Sequence, residues 1–134
     1  MSKILKNKSA LAATLALGLL ATAPLYVDAV MMHFALASSV PEADAMVSEL
    51  NAIQLTFTQV PKEEGRTLRL LDSAGELVEL GEVHMGGEKV MSAHVEAEGL
   101  GTGNYTVAWR AAGDDGHFIK GEYTFMLHAE DGIQ

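Results

Sequence analysis

Short runs of alternating apolar and polar residues, each closed by turn residues, recur along most of this chain. Residues 53–58, Ile-Gln-Leu-Thr-Phe-Thr, show the period of two that marks a half-buried strand. Residues 67–71 follow, and Asp72-Ser73-Ala74-Gly75 supplies turn chemistry. Residues 76–83 alternate again, with Leu77, Glu79 and Gly81 on one face and Val78, Leu80 and Glu82 on the other. The pair Gly86-Gly87 is expected to break that run. Residues 89–97 make another strand, with Met91, Ala93 and Val95 on its apolar face. A Gly-rich link at 99–104 leads to strand formers at 105–110, a loop at 113–116 and a last strand at 122–127. Residues 34–37 open the series and Pro41 closes it. Only residues 42–50 suit a helix, and they are too few to form a layer. About seven short strands with frequent turns predict an all-β antiparallel sandwich or barrel.

The first 29 residues stand apart from that pattern. Lys3, Lys6 and Lys8 precede an apolar run at 10–23, which is shorter than the ~20 residues of a membrane span. This is the layout of a secretory signal, with an uncleaved anchor as the other reading. Cleavage sites of the A-x-A type lie at Ala23 and Ala29, and Pro24 disfavours the first. The expected division is a signal at 1–29 and one domain at 30–134. The tail at 131–134 is expected to fray.

The whole chain has 134 residues and a formal charge of −9. Removing the signal leaves six Lys and Arg against 17 Asp and Glu, a net −11. Such a surface favours cations and argues against a nucleic-acid partner. Cysteine is absent, which excludes disulfides, thiolate metal sites and cysteine catalysis. An exported chain without thiols binds transition metals through His, Met and carboxylate. Five histidines, at 33, 84, 94, 117 and 128, are therefore the informative set. Asp115 and His117 form a compact carboxylate–imidazole pair inside the loop Gly113-Asp114-Asp115-Gly116-His117. His94 alternates with Ser92 and Glu96 and should face solvent, whereas Met91 should fill core. A second metal site around His84, Met85, Met91 and His94 is the lesser reading. His128 is expected at the surface. No serine has the G-x-S-x-G setting of a hydrolase, and no helix follows the glycines at 99–103 to make a dinucleotide fingerprint.

Four stretches resemble the CopC-type periplasmic copper resistance proteins, including the YobA-like members. Residues 103–110 match the family's G-x-Y-x-V-x-W-R, and residues 115–125 match its D-G-H-x-x-K-G-x-Y-x-F. Residues 33–41 match its opening H-x-x-L-x-S-S-x-P, and residues 53–58 are similar to its first long core strand. The resemblance implies a small Greek-key, immunoglobulin-like β-sandwich or barrel that binds Cu(II) outside the cytoplasm. It implies His33, Asp115 and His117 as the ligands, with the α-amine of an N-terminal His as a further donor. In the family that His is the first mature residue. Here cleavage after Ala29 leaves Val30-Met31-Met32 ahead of His33, whereas cleavage after Met32 would make His33 first. In the former case a water, a backbone amide or the sulfur of Met31 or Met32 would take the amine's position.

The resemblance further implies a monomeric copper carrier that buffers the ion or passes it to a membrane transporter, with no catalysis. Trp109 should lie in the core near the metal loop. Arg110, on the opposite face, could pair with Asp114 or Asp115. Lys120 and Gly121 read as turn residues. Two other classes stay open on the sequence alone. One is a metal-free immunoglobulin-like interaction module that binds a protein by an edge strand. The other is a copper oxygenase with a histidine brace.

Overall fold

The structure, a computed structural model, describes residues 33–130; the expected signal, its cleavage sites and the tail lie outside the described residues. Nine strands form: β1 Leu36–Val40, β2 Met46–Val47, β3 Ala52–Phe57, β4 Thr67–Leu71, β5 Leu77–Val78, β6 His84–Gly87, β7 Val90–His94, β8 Gly103–Ala112 and β9 Phe118–Leu127. They make a four-stranded sheet in the order β1-β3-β7-β6 and a five-stranded sheet in the order β2-β9-β8-β4-β5. The chain passes back and forth between the sheets, and the result is the expected Greek-key sandwich. All pairings are antiparallel except β2 with β9.

The alternation read from the sequence becomes the two faces of each sheet. In β3, Ile53, Leu55 and Phe57 point inward and are at most 1% exposed. From the second sheet Leu70, Val107 and Phe125 meet them, and Met91 and Ala93 complete the layer from β7. Each of these side chains larger than alanine contributes about 1.5–3 kcal/mol by leaving water. Without disulfides, this packing is what holds the domain together.

Four expectations need correction. The run at 76–83 is not one strand. After Val78 the chain leaves β4 and crosses to the other sheet, meeting it at the bridge of Leu80 with Val95 before β6 begins. Gly86 and Gly87 do not break that strand but belong to it, and the turn falls at residues 88–89. Lys120 and Gly121 lie inside β9, opposite Arg110 and Trp109. Gly121 is needed there because a Cβ would sit 2.7 Å from Cζ2 of Trp109. Residues 42–50 hold no helix; Met46–Val47 instead pairs in parallel with the end of β9.

Candidate metal site

Strands β8 and β9 pair over ten residue pairs, from Gly103 with Leu127 to Ala112 with Phe118. So long a hairpin makes a rigid stem, and it presents its loop, residues 113–117, at one end of the sandwich. Within that loop the carboxylate of Asp115 does two things. Its Oδ1 accepts the backbone N–H of His117 at 3.0 Å, and its Oδ2 lies 3.3 Å from Nδ1 of the same residue. A carboxylate can only accept, so Nδ1 of the neutral ring carries the proton and Nε2 keeps its lone pair. The backbone N–H of His117, and then its ring, hold the Asp115 carboxyl below its ordinary pKa. Both side chains are open to water, His117 at 86% and Asp115 at 66% exposure.

His33 is brought to the same end of the fold by the residues that follow β3. Thr58 Oγ1 donates to the carbonyl of His33 at 2.7 Å and accepts from the amide of Ala35 at 3.0 Å. The amide of Thr58 donates to the carbonyl of Ala35 at 2.9 Å. The next residue, Gln59, takes the amide of Asp114 on its Oε1 at 3.2 Å. One dipeptide thus ties down both halves of the candidate site. Phe34 fills the space between them. Its ring stacks on Phe57 at 4.9 Å, and a Cβ at Gly113 would fall 2.8 Å from its Cδ1. Any side chain at 113 would push Phe34, and with it His33, out of place.

The three implied residues are therefore neighbours in the architecture but not yet one cluster. Asp115 and His117 are in contact, while among the described residues no group of three His, Asp or Glu side chains converges on one point. His33 is anchored through its carbonyl, and among the described residues no hydrogen bond holds its imidazole. The donors fit a tetragonal N,O field of the kind Cu(II) prefers. High exposure fits a cargo that must be loaded and released more than a buried resident ion.

The remaining sequence expectations divide. Trp109 is core, 8% exposed, with its ring edge-on to Phe57 at 5.2 Å. It is connected to the loop through Phe57 and Phe34. Arg110 does not reach Asp114 or Asp115. Its Nη1 donates to the carbonyl of Gly65 at 3.0 Å, and its guanidinium lies 3.8 Å from the centre of the Phe118 ring. The register explains this, since Phe118 pairs with Ala112 and so lies diagonal to Arg110 on the same face. Met91 is fully buried, as the alternation requires, and its cross-strand partner is the half-buried Met85. His94 and His128 are exposed. Sequence reasoning missed Thr58 and Gln59, whose only signal was their place at the end of an alternating run.

Comparison with known proteins bears on the family and the fold. The profile of the family described as CopC domain matches residues 36–128. Copper resistance protein C of Escherichia coli is 34% identical over 104 residues, covering 72% of this chain and 82% of that protein. The crystal structure of PcoC, a methionine-rich copper resistance protein from Escherichia coli, superposes with a TM-score of 0.65 at 33% identity. It covers 72% of this chain and 99% of that one. CopC from Methylosinus trichosporium OB3b superposes equally well, TM-score 0.65, over 76% of this chain and all of that one. At 23% identity it supports the fold alone.

Proposed function

The chain belongs to the CopC domain family, and from that premise we propose that it is an exported Cu(II)-binding protein of copper homeostasis. The ion is its cargo, bound at His33, Asp115 and His117 and then buffered or passed on. The observation that carries this reading is the shared anchor, in which Thr58 holds His33 and Gln59 holds the Asp115–His117 loop. Two imidazoles and a carboxylate supply the field, and the contact of Asp115 with Nδ1 of His117 gives way as the carboxylate turns to the ion. No redox turnover is required, and we assign no catalytic step. The net −11 of the domain draws cations toward an exposed site. Among the described residues no helix is long and apolar enough to cross a membrane. The proposal places the domain at residues 30–134 in the periplasm, as a monomer, behind a signal at 1–29. A membrane copper transporter is the receiver that such a carrier implies.

The pH dependence of copper release tests this assignment. Protons and metal compete for the imidazole nitrogens, so acidification should release Cu(II). Asp115 is held below its ordinary pKa, so its carboxylate stays charged while the imidazoles take up protons. Release should therefore begin above the usual carboxylate range, and its midpoint should move to lower pH as total copper is raised. Dialysis at stepped pH with copper quantified reads both. A release midpoint that does not move with total copper would contradict competition between protons and metal at the imidazoles.

A further inference from the structure

A second pair of histidines lies on a part of the molecule that the proposed site does not use. His84 opens β6, the edge strand of the four-stranded sheet, and His94 closes β7 beside it. In the register His84 pairs with Ser92, which puts His94 diagonally across on the same outward face. The pleat sets diagonal partners about 7–8 Å apart, within reach of long side chains. Their rings close that gap, with centroids 5.7 Å apart and planes inclined by 28°. Both residues are exposed, while Ser92 between them is only 4% exposed. Nδ1 of His84 lies 3.3 Å from the carbonyl of Glu82. A carbonyl only accepts, so in the neutral ring that nitrogen carries the proton and Nε2 presents its lone pair. Ligand histidines are commonly fixed through their other nitrogen in this way.

We propose that His84 and His94 form a second, weaker metal site, which takes one divalent first-row transition ion between two imidazoles. Metal–imidazole bonds are about 2.0–2.1 Å and lie in the plane of the ring, so rotation of these two exposed side chains, whose ring centres are 5.7 Å apart, brings both Nε2 atoms onto one ion. Among the described residues no third His or carboxylate side chain joins the pair, so water completes the coordination sphere. Cu(II) binds tightest, ahead of Ni(II) and Zn(II), because affinity at a nitrogen site follows that order. The site stands at the opposite sheet edge from β1, whose approach carries His33, so the two ions bind independently. The thioethers take no part, because Met91 is fully buried on the inner face and Met85, paired with it, points to that same face, away from His84. This inference does not rest on the proposed function and survives its failure.

The test uses Cu(II)–iminodiacetate, a chelate that fills three coordination positions and leaves room for two imidazoles. It is titrated calorimetrically into the folded His117→Ala protein, so that the first site is silent. We expect one equivalent to bind. His84→Ala and His94→Ala should each weaken it at least about tenfold, since either change leaves a single imidazole. His128→Ala should change nothing. If His117→Ala compromises folding, judged by circular dichroism, the second equivalent of free Cu(II) bound by the unmutated protein is followed instead, with the same three variants. Binding that survives His94→Ala unchanged, or no binding to the folded protein, overturns the proposal.

Discussion

Replacing His117 with Ala should lower the affinity for the first equivalent of Cu(II) by about 100-fold or more. Loss of a residue that merely orients a ligand costs about 10–100-fold, and His117 supplies a ligand nitrogen itself. The substitution also removes the ring contact on Oδ2 of Asp115, while the backbone N–H of residue 117 still donates to its Oδ1. The fold should be untouched, because the side chain is 86% exposed and no core contact is lost. His128→Ala is the matched control. It removes an exposed histidine from just beyond the far end of β9, about 30 Å from the loop at ~3.3 Å per residue. His94→Ala should likewise leave the first equivalent in place. Isothermal titration with all three variants decides the matter. Equal losses in all three would show copper binding to scattered imidazoles, with no site at the loop.

Phe57→Ala should produce the largest loss of stability, about 3–5 kcal/mol. Phe57 is 1% exposed, stacks on Phe34 at 4.9 Å and meets Trp109 edge-on at 5.2 Å. Its removal leaves a void that β-sheet neighbours cannot close, since their backbones are fixed by the ladder. In a domain of this size that loss lowers the melting temperature by on the order of 15–30 °C. Thermal unfolding followed by circular dichroism reads it, with the 65%-exposed Leu77→Ala as a control expected within about 0.5 kcal/mol of the parent. A loss below about 1 kcal/mol would mean that Phe57 is not a keystone of the core. The same variant should bind copper less tightly below its melting point. Phe34 would lose the ring that holds it, and His33 is the residue immediately before it.

The inward faces were legible because alternation carries them directly. Ile53, Leu55 and Phe57, or Met91 and Ala93, could be assigned to the core from spacing alone. What spacing does not carry is the choice of sheet. Residues 76–83 alternate throughout, yet the chain crosses between sheets after Val78, because pairing with β4 ends there and the next partner is β7. A glycine's role was equally illegible. Gly121 and the pair Gly86-Gly87 look like turns by composition, but the strand at Gly121 is made possible by the missing side chain, against which Trp109 packs. At the site, Asp115 and His117 lie two residues apart and their contact follows from a short loop. The link to His33 crosses more than 80 positions and depends on Thr58 and Gln59, polar residues in no motif. The position of Arg110 was missed for a related reason, since its partner Phe118 is set by hairpin register and not by nearness in sequence.

A Cu(II) titration of the naturally processed, exported protein, read by the fluorescence of its single tryptophan, tests the account most directly. Trp109 is connected to the loop through Phe57 and Phe34, so copper there should quench it. The account predicts saturable quenching complete at one equivalent, abolished by His117→Ala in a protein that remains folded. A folded protein whose Trp109 emission does not respond to copper, or responds equally with and without His117, would contradict it.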